Sequence, residues 1–369
     1  MNEYPLITRK EVKSNNALKT IQKETYKKHR KLKVRFPKAK ISKLVKLRES
    51  NSYYDLTDKV YDKKELQNYN KDVLLETTRS MGICGLGGSG FPLERKLESI
   101  IHSKAPDKYL IINGVECDPG LLQDAWLLQN RLPEIEAGIK LLTKVIPFSK
   151  VLLATKEATS NTDSGYDISV VPDRYPMGAE KILIEHLLGI KLAPKDVPAE
   201  KGVLVINAQT VHAIYEALYF NRPADSRFIT VADLTSGESI VARVNLSAPV
   251  IETANKLIKA GLAQAIYYGG GILSGIKATP IDKLTVKTNF IGYGKEVIYD
   301  QSSKCKKCGA CSRNCPMEIK VNKLIQAIEK NASDLKEFHT ELCIRCGTCT
   351  YLCAAGKNTM ELVTSAKEV

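Results

Sequence analysis

Between residues 73 and 220 the chain alternates between short apolar runs and longer stretches whose apolar residues recur at helical spacing. Four runs rich in Val, Ile and Leu are predicted strands: 109–116, 150–155, 167–172 and 202–208. Helical spacing separates them, at 121–143, 178–188 and 211–219. Strands that alternate with helices predict a parallel, doubly wound α/β sheet. Ligands of such sheets bind at the carboxyl ends of the strands.

The patterning changes on both sides of this region and predicts four segments. Residues 222–285 read as a small β-rich domain, in which "RFITVADL" and "SIVARVNLSAP" are strands and "VIETANKLI" is a helix. Residues 286–369 are rich in cysteine and have helical spacing between the cysteines. Residues 1–72 form a basic, helix-prone arm, which leaves residues 73–221 for the α/β domain.

Charge is distributed unevenly along the chain. The net charge is +14, and residues 1–50 alone carry sixteen Lys or Arg against four Glu, so the remaining chain is close to neutral. A basic block of this kind either binds an acidic partner or is simply a solvated arm. Nucleic acid is not an expected partner, because few aromatic residues interleave the basic ones. No apolar run approaches the roughly 20 residues of a membrane helix, so a cytoplasmic protein is expected.

The cysteines indicate the chemistry. The chain has ten, and eight of them form two runs, "CKKCGACSRNCP" and "CIRCGTCTYLCA", each with the spacing C-x2-C-x2-C-x3-C. Disulfides are disfavoured without a secretory signal, and zinc sites usually pair two C-x2-C units without a third close cysteine. Three closely spaced thiolates and a remote fourth are typical of a [4Fe–4S] cluster.

In two-cluster proteins of this type the fourth cysteine of each run binds the other cluster. The predicted ligands of the first cluster are Cys305, Cys308, Cys311 and Cys353. Those of the second are Cys343, Cys346, Cys349 and Cys315. The crossed ligation would join both ends of the module and bring the clusters close together.

Two glycine-rich stretches are the remaining candidates for ligand binding. "MGICGLGGSGFPLERKL" (81–97) has five glycines within nine positions before a predicted helix start, yet it is neither a Walker loop nor a dinucleotide fingerprint. It either holds an anion at the helix N-terminus or forms a tight structural turn. "YYGGGILSGIKAT" (267–279) either lines a path between cofactors or is a structural loop.

The combination of motifs resembles a known family. "GLGGSGFPLERKL", "NGVECDPG" (113–120) and "RYPMGAEK" (174–181) are similar to the glycine loop and two following segments of the NADH- and FMN-binding flavoprotein subunit of complex I. The second cysteine run makes the chain more similar to the RnfC family of the Rnf electron-transport complex. The resemblance covers roughly residues 75–365. Relatives include a cobalamin reductase and a proline-reductase-associated electron-transfer protein.

The resemblance implies a role for individual residues. The implied FMN- and nucleotide-binding residues are Gly85, Gly87, Gly88, Gly90, Phe91, Lys96, Asn113, Asp118, Gly178, Asn207 and Thr210. Glu116 and Glu180 are implied as catalytic residues beside the flavin and the nicotinamide. Asp118 stands where the family usually has glutamate, and Ala125 stands where an arginine is common.

The resemblance also implies a function. Residues 73–221 would bind FMN and NADH, 222–285 would be a β-grasp domain of the SLBB type, and 286–369 would hold the clusters. Such a protein passes electrons between NAD(H), FMN and the clusters to a redox protein such as ferredoxin, flavodoxin or another subunit, and can lie at the periphery of a membrane complex. Two alternatives stay open: a cluster-relay and docking subunit without flavin, and a reductase component for cobalamin or an amino-acid reductase.

Overall fold

The computed structural model describes residues 48–366, with gaps at 58, 117, 119, 157–164, 173–175, 194–195, 235–236, 258–264, 296–298 and 333. Side chains are described from Tyr53 onward. Most of the predicted basic arm lies outside the described residues, so its acidic partner stays a prediction.

The described elements alternate between two sheets and a set of short helices. The strands are β1 (Arg48–Asp55), β2 (Tyr109–Asn113), β3 (Lys150–Thr155), β4 (Asp167–Val170), β5 (Val203–Asn207), β6 (Ser226–Asp233), β7 (Glu238–Asn245), β8 (Ala265–Gly269), β9 (Ile276–Lys277) and β10 (Phe290–Gly294). The helices are α1 (Lys71–Ser80), α2 (Leu93–Ile101), α3 (Gln123–Asn130), α4 (Leu132–Val145), α5 (Glu180–Leu188), α6 (Ala208–Phe220), α7 (Val250–Leu257), α8 (Ala310–Arg313), α9 (Val321–Ile328), α10 (Thr348–Tyr351) and α11 (Thr359–Ser365).

The first sheet confirms the predicted parallel α/β domain. Its strand order is β4-β3-β2-β5, and every pair is parallel. Successive side chains of β2 enter different cores: Leu110 and Ile112 lie in one apolar cluster and Ile111 in another. Burial on both faces explains why β2, β3 and β5 are continuous apolar runs rather than alternating ones.

The predicted helix at 121–143 is two helices, α3 and α4. The break falls at Arg131, and Pro133 lies in the first turn of α4. Proline lacks a backbone N–H and is tolerated in a first helical turn but not in a helix interior. The apolar spacing alone did not reveal this break, because it runs on through both helices.

The second sheet has the order β1-β7-β6-β10-β8-β9. The predicted two strands and helix after residue 222 are β6, β7 and α7. The sheet extends beyond the predicted range 222–285 at both ends. β10 carries it to Gly294. β1 pairs in parallel with β7, although residues 1–72 were predicted to be a helix-prone arm. β1 lies far from its partner strand in the sequence, so only the tertiary structure places it.

A buried charged cluster joins the two sheets. Glu216 on α6 accepts two hydrogen bonds from Arg243 on β7, at 2.6 Å (Nη1–Oε1) and 2.5 Å (Nη2–Oε2). His212 lies one helical turn earlier, with its Nδ1 3.6 Å from Glu216 Oε2, and its ring contacts Phe228 edge-on at 5.5 Å. A bidentate arginine–carboxylate pair fixes both the distance and the orientation of its two side chains. It therefore holds α6, and the sheet on which α6 packs, in one arrangement with β7.

His212 is expected to make the fold less stable in mild acid. Burial lowers the pKa of His212 to about 4, although Glu216 opposes the shift. The unfolded imidazole titrates near its ordinary pKa, so as the pH falls below about 6.5 the unfolded state binds a proton that the folded state does not, and stability decreases. Between about pH 7 and pH 5 the wild type should lose about 2 kcal/mol of unfolding free energy through His212. His212→Gln should not show this loss when urea unfolding is measured at both pH values. His186→Gln, at an exposed position on α5, should leave the loss unchanged; equal curves for both variants would contradict the assignment.

Candidate functional site

A cavity of about 690 Å³ opens at the carboxyl ends of β2 and β5. One wall is the loop at 85–91, a second comes from the other sheet at 268–276 and 285–289, and a third is Ile344–Cys346 of the second cysteine run. The volume lies within the range of small-molecule and cofactor sites. The cavity therefore brings together the glycine loop, the second glycine stretch and the cysteine module.

The glycine loop is closed by its own backbone. Gly85 N–H donates to Phe91 O at 2.8 Å, and Gly90 N–H donates to Gly85 O at 2.9 Å. Gly90 has a φ of +64°, and a Cβ there would lie 3.0 Å from Val286. A side chain would be both strained and crowded at this position, so the loop needs glycine here in order to lie against the second sheet.

Two buried side chains, those of Thr210 and Arg227, form hydrogen bonds with the backbone of the glycine loop. Thr210 Oγ1 accepts a hydrogen bond from Leu86 N–H at 2.9 Å, and Arg227 Nη2 donates to Leu86 O at 2.7 Å. Arg227 also donates to Asn289 Oδ1 and Val286 O, so the same guanidinium joins the loop to the second sheet. Asn289 lines the cavity. Arg227 and Asn289 carry no motif and were not predicted from the sequence.

The two asparagines that end β2 and β5 are paired in register. Asn113 Nδ2 donates to Gly178 O at 2.9 Å, which holds the start of α5 against the sheet edge. Asn207 Nδ2 donates to Asn113 O at 3.2 Å, and its Oδ1 accepts from Gln209 N–H at 3.0 Å as the N-cap of α6. Asn113, Gly178 and Asn207 all line the cavity, so the structure brings together three of the predicted residues.

Lys96 and Glu180, which were predicted for different ligands, form an ion pair inside the cavity. Lys96 Nζ lies 2.6 Å from Glu180 Oε1 and donates to Val205 O at 2.9 Å. Lys96 comes from α2 and Glu180 is the first residue of α5. Both side chains are about one third exposed, so the pair is open to a ligand.

Two further predicted residues, Glu116 and Asp118, lie in buried positions. Neither lines the cavity. Glu116 Oε1 accepts from Ala125 N–H at 2.8 Å in the first turn of α3. Asp118 accepts from the backbone N–H groups of Ile272 at 3.0 Å and Leu273 at 2.9 Å, in the second glycine stretch.

Asp124 is a buried carboxyl group near the site that was not predicted from the sequence. Its Oδ2 accepts a hydrogen bond from Asn207 Nδ2 at 2.9 Å. Burial, followed by the nearby Glu116 carboxylate, raises the pKa of Asp124 above the usual range of a carboxyl group.

The two predicted cysteine sets lie in different surroundings. Cys315, Cys343, Cys346 and Cys349 line one small cavity. In the other set, the Cys311 thiol interacts electrostatically with Cys308, Cys353 and Cys305. Burial raises the pKa of Cys311 to about 12, and the neighbouring thiolates add to the shift. In the described part of the chain no three His, Cys, Asp or Glu side chains are arranged to hold a single metal ion, so the fit of each set to a [4Fe–4S] cluster rests on its four thiols and their spacing in the sequence.

The two cysteine runs are structural repeats. Lys307 and Arg345 occupy equivalent positions with φ of +52° and +55°, and each N–H donates to the Sγ of the run's first cysteine at 3.4 Å. Gly309 and Gly347 follow, with φ of +69° and +72°, and begin the short helices α8 and α10. The module thus has two similar ends, and one of them, at Ile344–Cys346, lines the large cavity.

Comparisons with known families agree with this geometry. The Nuo51 FMN-binding domain matches residues 78–216, and a 4Fe-4S dicluster domain matches residues 304–357. The fold also resembles the crystal structure of an NAD+-reducing [NiFe]-hydrogenase in the H2-reduced state, with a TM-score of 0.56 over 79% of this chain and 61% of that chain. At 17% sequence identity this likeness shows the fold alone. The protein is thus an electron-transfer subunit with FMN and two [4Fe–4S] clusters as cofactors.

Individual relatives identify the family. The chain is 30% identical over 336 residues to the RnfC protein of the ion-translocating oxidoreductase complex from Buchnera aphidicola subsp. Acyrthosiphon pisum, covering 85% of this chain and 69% of that protein. It is 29% identical to the protein of the same name from Pseudomonas aeruginosa, over 67% of this chain and 33% of that protein. The chain belongs to the RnfC family of ion-translocating oxidoreductase complexes, and it spans about a third of the Pseudomonas relative.

Proposed function

We propose that this chain exchanges electrons between NAD(H) and a redox protein, with FMN in the 690 Å³ cavity and two [4Fe–4S] clusters in the cysteine sets. The observation that carries the proposal is the shared lining of one cavity by the glycine loop and by Cys346. When bound, FMN supplies the conversion between two-electron hydride chemistry and single-electron transfer. A chain that only relayed electrons between clusters would have no use for such a cavity.

The lining fits a phosphorylated flavin. The loop at 85–91 precedes the N-terminus of α2, where backbone N–H groups and the helix dipole favour an anion. Gly87 lies so close to Asn207 that a Cβ would come within 3.2 Å of its side chain, and a side chain at this point would project into the space for the ligand. Lys96 supplies the positive charge.

Glu180 is proposed to orient the nicotinamide nucleotide. Its carboxylate is fixed by Lys96 at 2.6 Å, and it begins α5 next to Gly178, whose carbonyl is held by Asn113. The four residues therefore form one rigid corner of the cavity. Asp118 and Glu116 are assigned a supporting role instead, because both are buried and accept backbone hydrogen bonds.

The two cysteine sets have different positions relative to the cavity. Cys346 lines the cavity, whereas none of Cys305, Cys308, Cys311 and Cys353 does. We assign the set of Cys315, Cys343, Cys346 and Cys349 to the cluster nearer the flavin. The other set then holds the cluster that exchanges electrons with an external protein.

Assembly into a larger ion-translocating complex follows from the family and is part of the proposal. In the described part of the chain no helix is both long and apolar enough to cross a bilayer. From the family, we place the contact with such a complex on exposed surfaces of this chain, at the periphery of the membrane.

The test is an anaerobic NADH titration of the cofactor-loaded protein. We expect about eight irons and one FMN per chain and loss of flavin absorbance on addition of NADH. Glu180→Gln keeps an acceptor for Lys96 but removes the charge, and it should raise the NADH concentration needed for half-reduction about tenfold at unchanged flavin content. Glu185→Gln, on an exposed part of the same helix, is the matched control. Flavin that stays oxidised in excess NADH would refute NAD(H) as the substrate.

A further inference from the structure

The two similar ends of the cysteine module have different surroundings. At one end Arg345, between two cysteines of the second run, lines the flavin cavity. At the other end Lys307 occupies the equivalent position, is exposed and does not line that cavity. The repeat therefore has one end directed to the interior electron source and an equivalent end open to solvent.

The open end carries a run of positive charge. Lys304, Lys306, Lys307 and Arg313 are all exposed, and no Asp or Glu occurs between residues 304 and 317. We call these four residues the basic cluster surface. Two hydrogen bonds place it directly on the cysteine set: Lys307 N–H donates to Cys305 Sγ at 3.4 Å, and Arg313 Nη2 donates to Cys308 O at 2.7 Å.

This charge is local to that end of the module. The corresponding stretch of the second run, residues 342–355, carries Arg345 as its one charged residue, against the four basic residues of the first run. Glu329 contacts the open end, where its Oε1 accepts from Cys305 N–H at 2.9 Å and lies 3.4 Å from the buried Lys357 Nζ. The charge of Glu329 is therefore matched by a lysine outside the basic cluster surface, and the surface keeps its net positive charge.

We propose that the basic cluster surface docks a small acidic electron-carrier protein. Complementary charge speeds encounter and orients the partner, and here it would bring the carrier against the half-buried Cys305 and Cys308. One electron moves in each encounter: the carrier is reduced by one electron as this chain is oxidised by one, or the reverse, with no bond made or broken. The inference rests on the proposed electron-transfer function and adds the site and charge of the partner.

The experiment measures association of the cofactor-loaded protein with a purified acidic ferredoxin. The test variant is Lys306→Glu/Lys307→Glu, and the matched control is Lys104→Glu/Lys140→Glu, which makes the same charge change at exposed positions of the α/β domain. We expect the test variant to lower the association rate constant at least about tenfold at about 20 mM salt, and the difference to shrink at about 200 mM salt. The control should stay within about twofold of the wild type.

Two further readings separate this inference from the proposed function. Flavin bleaching by NADH without ferredoxin should be the same in all three proteins. If NADH failed to bleach the flavin of the wild type, that result would contradict NAD(H) as the substrate and would leave the association result valid. Equal association of the test and control variants, or no association of the wild type, would overturn the docking site. A test variant that loses binding to vesicles of anionic lipid while it still binds ferredoxin would overturn it too and assign the surface to a membrane.

Discussion

Replacing Cys346 with alanine is expected to stop electron transfer from the flavin to the clusters while reduction of the flavin by NADH continues. Cys346 belongs to the cysteine set that lines the small cavity with Cys315, Cys343 and Cys349, and it alone among the eight cysteines of the two runs lines the large cavity. Loss of one thiolate ligand should remove that cluster, so iron should fall from about eight to about four per chain. Freeze-quenched EPR after mixing with NADH should then show no reduced cluster.

Cys308→Ala is the matched control, because Cys308 is a member of the other set. It should lower iron by the same amount, yet EPR should still detect one cluster reduced by NADH within the first turnover. Only electron delivery to an external acceptor should fail. If Cys308→Ala blocked the first transfer and Cys346→Ala did not, the assigned order of the two clusters would be reversed. Circular dichroism of both variants checks that the helices of the module remain folded.

The parts of the site that the sequence predicted depend on local patterns. The asparagines that end β2 and β5 follow continuous apolar runs, so their place at the sheet edge follows from strand register. The glycine loop is bounded by α2, and the cysteine spacing is carried within runs of a dozen residues. Each of these features needs only short-range backbone geometry, which sequence periodicity and spacing report directly.

The parts that the sequence did not predict depend on contacts between distant segments. Arg227 meets Leu86 across 141 positions of the chain, and no spacing rule links them. The ion pair of Lys96 with Glu180 joins two helices whose residues were each predicted for a different ligand. For Glu116 and Asp118 the motif gave the position in the chain, but burial and partners decided the role. Gly269 and Gly270 of the second stretch line the cavity, which their sequence left open.

Asp118 links the segment that follows β2 to the second glycine stretch. Its two oxygens accept three backbone hydrogen bonds, from Gly120, Ile272 and Leu273. Leu273 O in turn packs so closely on Gly347 that a Cβ there would collide with it. Gly347 follows Cys346 in the second run, so a continuous path of contacts runs from the end of β2 to the cluster nearer the flavin.

Asp118→Ala should therefore lower both stability and the rate of transfer from flavin to cluster. Burial raises the pKa of Asp118 to about 6, and the three N–H donors oppose that rise; removing the carboxylate leaves those buried donors without their acceptor. We expect a loss of about 2–4 kcal/mol in unfolding free energy and at least about a tenfold slower cluster reduction, since the loop between the two cofactors is released. Urea unfolding and stopped-flow absorbance measure the two effects.

Asp196→Ala is the matched control for Asp118→Ala. Asp196 Oδ2 also accepts a backbone hydrogen bond, from Ala193 N–H at 2.9 Å, but that bond closes only a local turn. Its loss should cost about 1 kcal/mol or less and leave cluster reduction unchanged. Asp118→Asn keeps one acceptor oxygen and should fall between the two, because its amide N–H2 then faces one of the three donors. A stable Asp118→Ala protein with wild-type transfer would show that the 269–275 loop holds its place without this carboxylate, and that the contact of Leu273 with Gly347 alone positions the cluster.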